Sequence, residues 1–499
     1  MNIKKLYFLV FLLFPLLFSC TKENLKVDAV FSDHMVLQRN HKIPVWGTVK
    51  PNTKIQAVFN GETLTTTSNG NGIWKVYFEA QKAGGPFQLE VSSGNQTIKF
   101  KDILVGEVWL ASGQSNMHLD LKRTLNGEEV AQKANNANIR IYNMRPTYPT
   151  GKEGVHTLKE LDKIQNNNYF NTKGWVKVTP ENVLYFSAVA YYFAEKLQGK
   201  LNIPIGIIHN AVPGSPIESW LSKKVIEEDS EITNFVKERW ADKDNEKDAM
   251  ITVAKNQISL SKNEKQKHPW MPSYNYENGI LPLKNVPFKG VIWYQGESNA
   301  ERPKLYQKMF QKMVTLWRSD FNSNFPFYYT QLTSREDRAA WSEFRNAQRE
   351  SLNEVPNTKM IVITDVGDKQ DTHAKNKQPV GERLALLALG DTYHTVTDYE
   401  SPMFDTITFS QNTYFLNFKG EFSSLKTKES RKIVGFEISY DNINFQKFEP
   451  IIQGKLLKFT MSEKHQKPIY IRYAWKPYTE ANLISNKGLP VSTFRIKIE

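Results

Sequence analysis

Ile103-Leu104-Val105-Gly106-Glu107-Val108-Trp109-Leu110-Ala111 is an almost unbroken apolar run, and it leads directly into Ser112-Gly113-Gln114-Ser115-Asn116-Met117. A strand with one wet face alternates, whereas a strand buried on both faces is apolar nearly throughout, as in a parallel sheet covered by helices. Four later runs share this character: Ile203–Val212, Gly290–Tyr294, Phe325–Leu332 and Lys359–Val366. Helix-period stretches accompany them at Ser187–Leu197, Lys304–Arg318, Trp341–Leu352 and Val380–Leu389. Buried runs alternating with helices predict an α/β fold, a parallel sheet flanked by helices.

Outward from this centre the pattern changes on both sides. Residues 25–102 read as an N-terminal β-domain, with short alternating strands at Lys54–Phe59 before Asn60-Gly61, Ile73–Phe78 and Phe87–Val91. Strands of that length, split by turn residues, predict a small sandwich-like unit. The α/β part is expected to span 103–394, with a highly charged helical insertion or lid at 223–267. From 395 to 499 short strands return, at Thr413–Phe418, Ile433–Tyr440, Leu456–Thr460 and Ile469–Ala474, predicting a C-terminal β-region. Three regions are in keeping with 499 residues, more than one core usually serves.

The first residues predict an export signal. Lys4 and Lys5 precede an apolar stretch, Leu6 to Phe18, too short to span a bilayer comfortably. It ends in Leu17-Phe18-Ser19-Cys20 before a polar Thr21-Lys22-Glu23-Asn24, and so resembles a bacterial lipoprotein signal over residues 1–20 with Cys20 lipidated. The expected location is the cell envelope, periplasmic or at the outer membrane or surface, with the lipid as the membrane contact; an ordinary cleaved signal is the alternative. Cys20 is the only cysteine, which excludes a disulfide, a thiol nucleophile and cysteine-ligated zinc within the fold. Net charge is +13, yet the lysines are scattered, with no basic run interleaved with aromatics, so no nucleic-acid partner is expected. A basic surface suits acidic glycans or anionic lipids equally well.

In open parallel sheets ligands bind beyond the carboxyl ends of the strands, so the residues after each run matter most. They are Ser112–Met117, then Pro213-Gly214-Ser215-Pro216, then Gln295-Gly296-Glu297-Ser298-Asn299, and Gly367-Asp368-Lys369-Gln370-Asp371-Thr372-His373. Together these loops supply a serine, glycines, amide side chains and an Asp/His pair, the parts acyl transfer needs. A serine needs an imidazole to take its proton, the imidazole needs an acceptor to fix its tautomer, and the oxyanion needs preorganised N–H donors. Each residue also has a plainer reading: Ser115 as a helix cap, His373 as a surface histidine, Asn299 as a cap for the helix near Pro303. P-loop, GxGxxG and HExxH strings are absent, and Met117 breaks a GxSxG elbow.

These residues resemble the sialate O-acetylesterase family, within the SGNH hydrolase superfamily. The likeness lies in Gly113-Gln114-Ser115-Asn116-Met117, in Trp293-Tyr294-Gln295-Gly296-Glu297-Ser298-Asn299-Ala300, and in the His373-to-Leu384 stretch with Asn376-Lys377-Gln378. Outside the rim, Val30-Phe31-Ser32-Asp33-His34-Met35-Val36-Leu37-Gln38-Arg39 and Tyr473-Ala474-Trp475 match as well. The resemblance implies an SGNH, flavodoxin-like sheet and a serine carboxylic-ester hydrolase acting on O-acetylated sialic acids without metal or organic cofactor. It implies Ser115 as nucleophile, His373 as general base, and an oxyanion hole from the Ser115 N–H, Gly214 and Asn299. The third triad member is open: the position three before the histidine is Gln370, leaving Asp371, with Asp368, Asp365 and Glu297 as alternatives. Arg345 and Gln295 are candidates for holding the sugar, Arg345 because a guanidinium suits a carboxylate. Acetylated xylan is the rival substrate, and a non-catalytic glycan-binding surface lipoprotein is the rival of a different class.

Overall fold

The computed structural model describes residues 24–146, 157–241, 249–261, 263, 265–336, 338–460 and 468–498. The signal segment 1–20 and Cys20 lie outside the described residues. Six parallel strands form the centre: β1 (Gln96–Gly113), β2 (Asn136–Asn143), β3 (Ile205–His209), β4 (Gly290–Tyr294), β5 (Phe327–Thr330) and β6 (Thr358–Ile361). They lie in the order β2-β3-β1-β4-β5-β6, with Trp175–Val178 antiparallel on the outer edge of β2. Without β2 the order is that of a flavodoxin-like doubly wound sheet, in which the first strand is central and the chain turns first to one side, then to the other. The crevice at that reversal opens at the carboxyl end of β1, where Ser115 follows.

The apolar runs became strands because their faces are buried on both sides: β3 and β4 have every residue buried. Helices α1 (Ser115–His118), α2 (Ala188–Leu201), α3 (Pro303–Asp320), α4 (Trp341–Glu354) and α5 (Gln378–Leu387) connect or follow them. Ser187 caps α2, its hydroxyl accepting from the Ala190 N–H, and Pro303 opens α3 where its missing N–H costs nothing.

β1 is 18 residues long and belongs to two layers. Its first part pairs antiparallel with Gly84–Ser93 in the N-terminal β-domain, and its second part lies between β3 and β4. The expected boundary at 102/103 therefore falls inside one strand, at Asp102, whose φ of 55° marks the irregularity. Asp102 accepts from Arg140 on β2 and pairs with Lys177 and His34, which hold its carboxyl well below the usual range against the opposing effect of burial. The N-terminal sheets and the α/β sheet share one hydrophobic core, including Trp74, Phe78, Trp109 and Trp293.

The described residues of the charged segment 223–267 form helices at Lys223–Glu227, Ser230–Ala241 and Ala249–Ser259. Ile226, Ile232 and Phe235 belong to the main core, so the first two of these helices are anchored rather than a free lid. The C-terminal β-region has a core of its own around Leu416, Phe436, Leu457, Ile471 and Phe494.

Candidate active site

Gly113 ends β1 with φ 139°, and a Cβ there would meet the Tyr294 carbonyl at 2.1 Å, so only glycine lets the Ser115 loop pass the end of β4. Gln114 takes the helix N-cap position but makes no side-chain cap bond. Its Oε1 instead accepts from the Gly296 and Ser298 N–H groups at 3.3 and 3.4 Å, clamping the β4 loop to the β1 loop. Ser115 is thus the first helical residue, half-exposed, and not the cap; its own N–H belongs to the group that has no intrahelical acceptor.

Asn116 turns inward. Its Nδ2 donates to the Thr372 carbonyl at 3.0 Å and to Glu297 Oε1, while its Oδ1 accepts from Lys377 Nζ. The neighbour of Ser115 is therefore bonded to the neighbour of His373. Lys377 is buried, lies over the Tyr294 ring at 5.4 Å, and is pulled down to about 8 by burial, against the pull of Glu297 and Asp371. Burial likewise raises the Glu297 carboxyl, countered by Asn116, Lys377 and Arg335.

His373 is half-buried, and its pKa is lowered first by burial, then by Lys377, with Arg123 and Arg335 adding and Asp371 opposing. A lowered value keeps the ring neutral, the form a general base requires. Asp371 Oδ1 accepts the backbone N–H of His373 at 2.8 Å and lies 4.0 Å from its Nδ1, beyond hydrogen-bond length. The other carboxylates of this loop are engaged elsewhere: Asp365 forms a bidentate pair with Arg383, and Asp368 accepts from the Gln370 and Asp371 N–H groups.

Gly214, at φ 72°, accepts the Ser298 hydroxyl on its carbonyl at 3.0 Å, which brings the β3 loop against the β4 loop. Asn299 is buried; its Oδ1 accepts from the Ile217 N–H and from Gln295 Nε2, both at 2.9 Å, and its Nδ2 donates to Glu218 at 3.0 Å. The amide orientation is fixed, and the nitrogen carries a second proton.

Two expectations need correction. Gln295 is fully buried and spends its amide nitrogen on the Ser215 carbonyl and on Asn299, so it supports the loop and does not face a sugar. Arg345 is fully buried as well: Nη1 donates to the Pro477 carbonyl at 2.9 Å, and Nη2 to those of Ala474 and Lys476. Its charge pins the C-terminal β-region to α4, and burial pulls it down to about 9. Among the described residues no group of three or more His, Cys, Asp or Glu side chains is placed to hold a metal ion.

Sequence reasoning passed over Asn116, Lys377, Glu218 and Arg239. The first two stood inside the quoted motifs; the last two gave no signal beyond charge.

A carbohydrate acetylesterase from Xanthomonas citri superposes with a TM-score of 0.78 at 30% identity, covering 94% of this chain and 99% of that one. The family model for carbohydrate esterases of the sialic acid-specific acetylesterase type matches residues 232–389. The chain belongs to the sialate O-acetylesterase family of carbohydrate esterases. Among curated relatives of this esterase, the sialate O-acetylesterase of Rattus norvegicus is 28% identical over 410 residues, covering 72% of each chain. That of Homo sapiens is 27% identical over 491 residues, covering 89% of this chain and 86% of its own.

Proposed function

We propose that this carbohydrate esterase, an SGNH hydrolase, removes O-acetyl groups from sialic acids with Ser115 as nucleophile and His373 as general base. The observation that carries it is the Asn116–Thr372 hydrogen bond, which couples the residue after the serine to the residue before the histidine. His373 takes the Ser115 proton as Oγ attacks the acetyl carbonyl. The oxyanion is met by the N–H groups of Ser115 and Gly214 and by the Asn299 amide. The sugar hydroxyl leaves with the proton from His373, and water, activated by the same imidazole, releases acetate from the acetyl-enzyme. The positive charges of Arg123, Arg335 and Lys377, which all act on His373, favour an anionic sugar. A panel of O-acetylated sialic acids against acetylated xylan tests the substrate. A higher kcat/KM on xylan would reassign it.

Asp371 is the carboxylate assigned to the imidazole. Its contact is electrostatic at 4.0 Å, so Asp371→Asn should lower kcat by about 10²-fold, less than for a hydrogen-bonded triad carboxylate. Asp371 raises the histidine's pKa, so its loss should also move the acidic limb of kcat/KM to lower pH. A profile superimposable on wild type would hand the role to Glu297.

We also propose that Cys20 carries a lipid that holds the esterase at the bacterial envelope. Cys20→Ala should abolish incorporation of labelled fatty acid and leave esterase activity intact. Equal labelling of variant and wild type would refute the anchor.

A further inference from the structure

The helix Ser230–Ala241, inside the charged insertion, carries Arg239, a buried guanidinium. It reaches away from its own helix to two acceptors on the body of the enzyme. Nη1 donates to Glu218 Oε1, and Nη2 donates to the Ser298 carbonyl at 3.1 Å. Glu218 is fully buried, and its other oxygen, Oε2, accepts Asn299 Nδ2 at 3.0 Å. The result is a continuous chain, Arg239–Glu218–Asn299, with a further arm onto the loop just before Asn299. The backbone carbonyl of Asn299 accepts from the Arg302 N–H, and Arg302 lies over the same Phe235 ring that Arg239 covers, so the insertion grips this loop from two sides.

We infer that the helix Ser230–Ala241 is a buttress of the oxyanion hole and that Arg239 is its positioning residue. The inference rests on the reading of Asn299 as an oxyanion donor. Glu218 fixes the Asn299 amide, but it places a carboxylate one hydrogen bond away from the group that must stabilise negative charge. Left alone, that carboxylate repels the developing oxyanion in a low-dielectric setting, where one charge is felt strongly. Arg239 cancels it. The pair supplies Glu218's geometry without its field, and Ser298, whose hydroxyl is bonded to Gly214, is steadied by the same guanidinium.

The test is kinetic, on the full-length enzyme with nitrophenyl acetate. Arg239→Met should lower kcat by about 10–100-fold with KM within about twofold, because the loss is felt in the transition state. Adding Glu218→Gln to that variant removes the unbalanced charge and keeps an acceptor for Asn299, and it should restore kcat to within about fivefold of wild type. A merely structural role would make the double variant no better than the single one, and that outcome overturns the inference. Arg239→Lys keeps the charge but cannot serve both acceptors; it covers the case in which the methionine variant does not fold. It should lower kcat by about fivefold at constant KM, and a raised KM at constant kcat overturns the inference. Asn299→Ala, measured alongside, separates the two readings. If it costs about 10²-fold while Arg239→Met stays within about threefold, the buttress is wrong and the oxyanion hole stands. If Asn299→Ala itself stays within about threefold, the oxyanion reading falls and the inference with it.

Discussion

Ser115→Ala should lower kcat on nitrophenyl acetate and on O-acetylated sugar by about 10⁴–10⁶-fold, with no measurable change in the unfolding midpoint. The catalytic half follows from the proposed mechanism: without Oγ there is no acyl acceptor, and His373 has no proton to take. The structural half follows from where Ser115 sits. It is half-exposed, it is not the helix cap, and the loop around it is held by its neighbours, with Gln114 clamping Gly296 and Ser298 and Asn116 clamping Thr372. Kinetics and a thermal melt on the same preparation check both halves. A melt lowered together with activity would mean that the serine holds the loop, and the nucleophile would have to be sought elsewhere on the rim.

Lys377→Met should destabilise the enzyme by about 3–5 kcal/mol, the usual cost of removing one partner from a buried charged network. The methionine keeps the stem but leaves Asn116 Oδ1 without its donor and takes the cation away from Glu297 and from the Tyr294 ring. The same change should alter the pH profile. Lys377 is the largest charge acting to lower the His373 pKa, with Arg123 and Arg335 on its side and Asp371 against it. Removing it raises that pKa, so the imidazole stays protonated to higher pH and the acidic limb of kcat/KM moves upward. The direction is opposite to that expected for Asp371→Asn, so the pair of variants measures the field at one ring from both signs. Chemical denaturation and a kcat/KM profile are the measurements. An unchanged denaturation midpoint would show that Asn116 and Glu297 do not depend on the ammonium.

Much of the strand pattern was legible: Gly290–Tyr294 is apolar on both faces, Lys54–Phe59 alternates with one buried face, and both have the bounds that their composition predicts. β2 was not legible. Asn136-Ala137-Asn138-Ile139-Arg140-Ile141-Tyr142-Asn143 carries a buried arginine in its middle, and the carboxylate that makes this tolerable, Asp102, is 38 residues away. The rim loops were legible as a set, since each follows a buried run. The roles of arginines were not. Arg345 lies on a helix and looked like a carboxylate fork, but its acceptors are backbone carbonyls 129 to 132 residues later, which leave no trace in side-chain types. Arg239 stood in a segment so rich in charge that its residue type did not single it out, whereas its burial does.

The double membership of β1 also orders events in time. During synthesis its first half can zip onto Gly84–Ser93 at once, since that hairpin is local. Its second half must wait for β3 and β4, which emerge roughly a hundred and two hundred residues later. Until then the apolar segment beyond Val108, which is to be buried on both faces, has no strand on either side. The sandwich, closing early on the same strand, is the holdfast that keeps this segment extended and in register while the rest of the site is still being made.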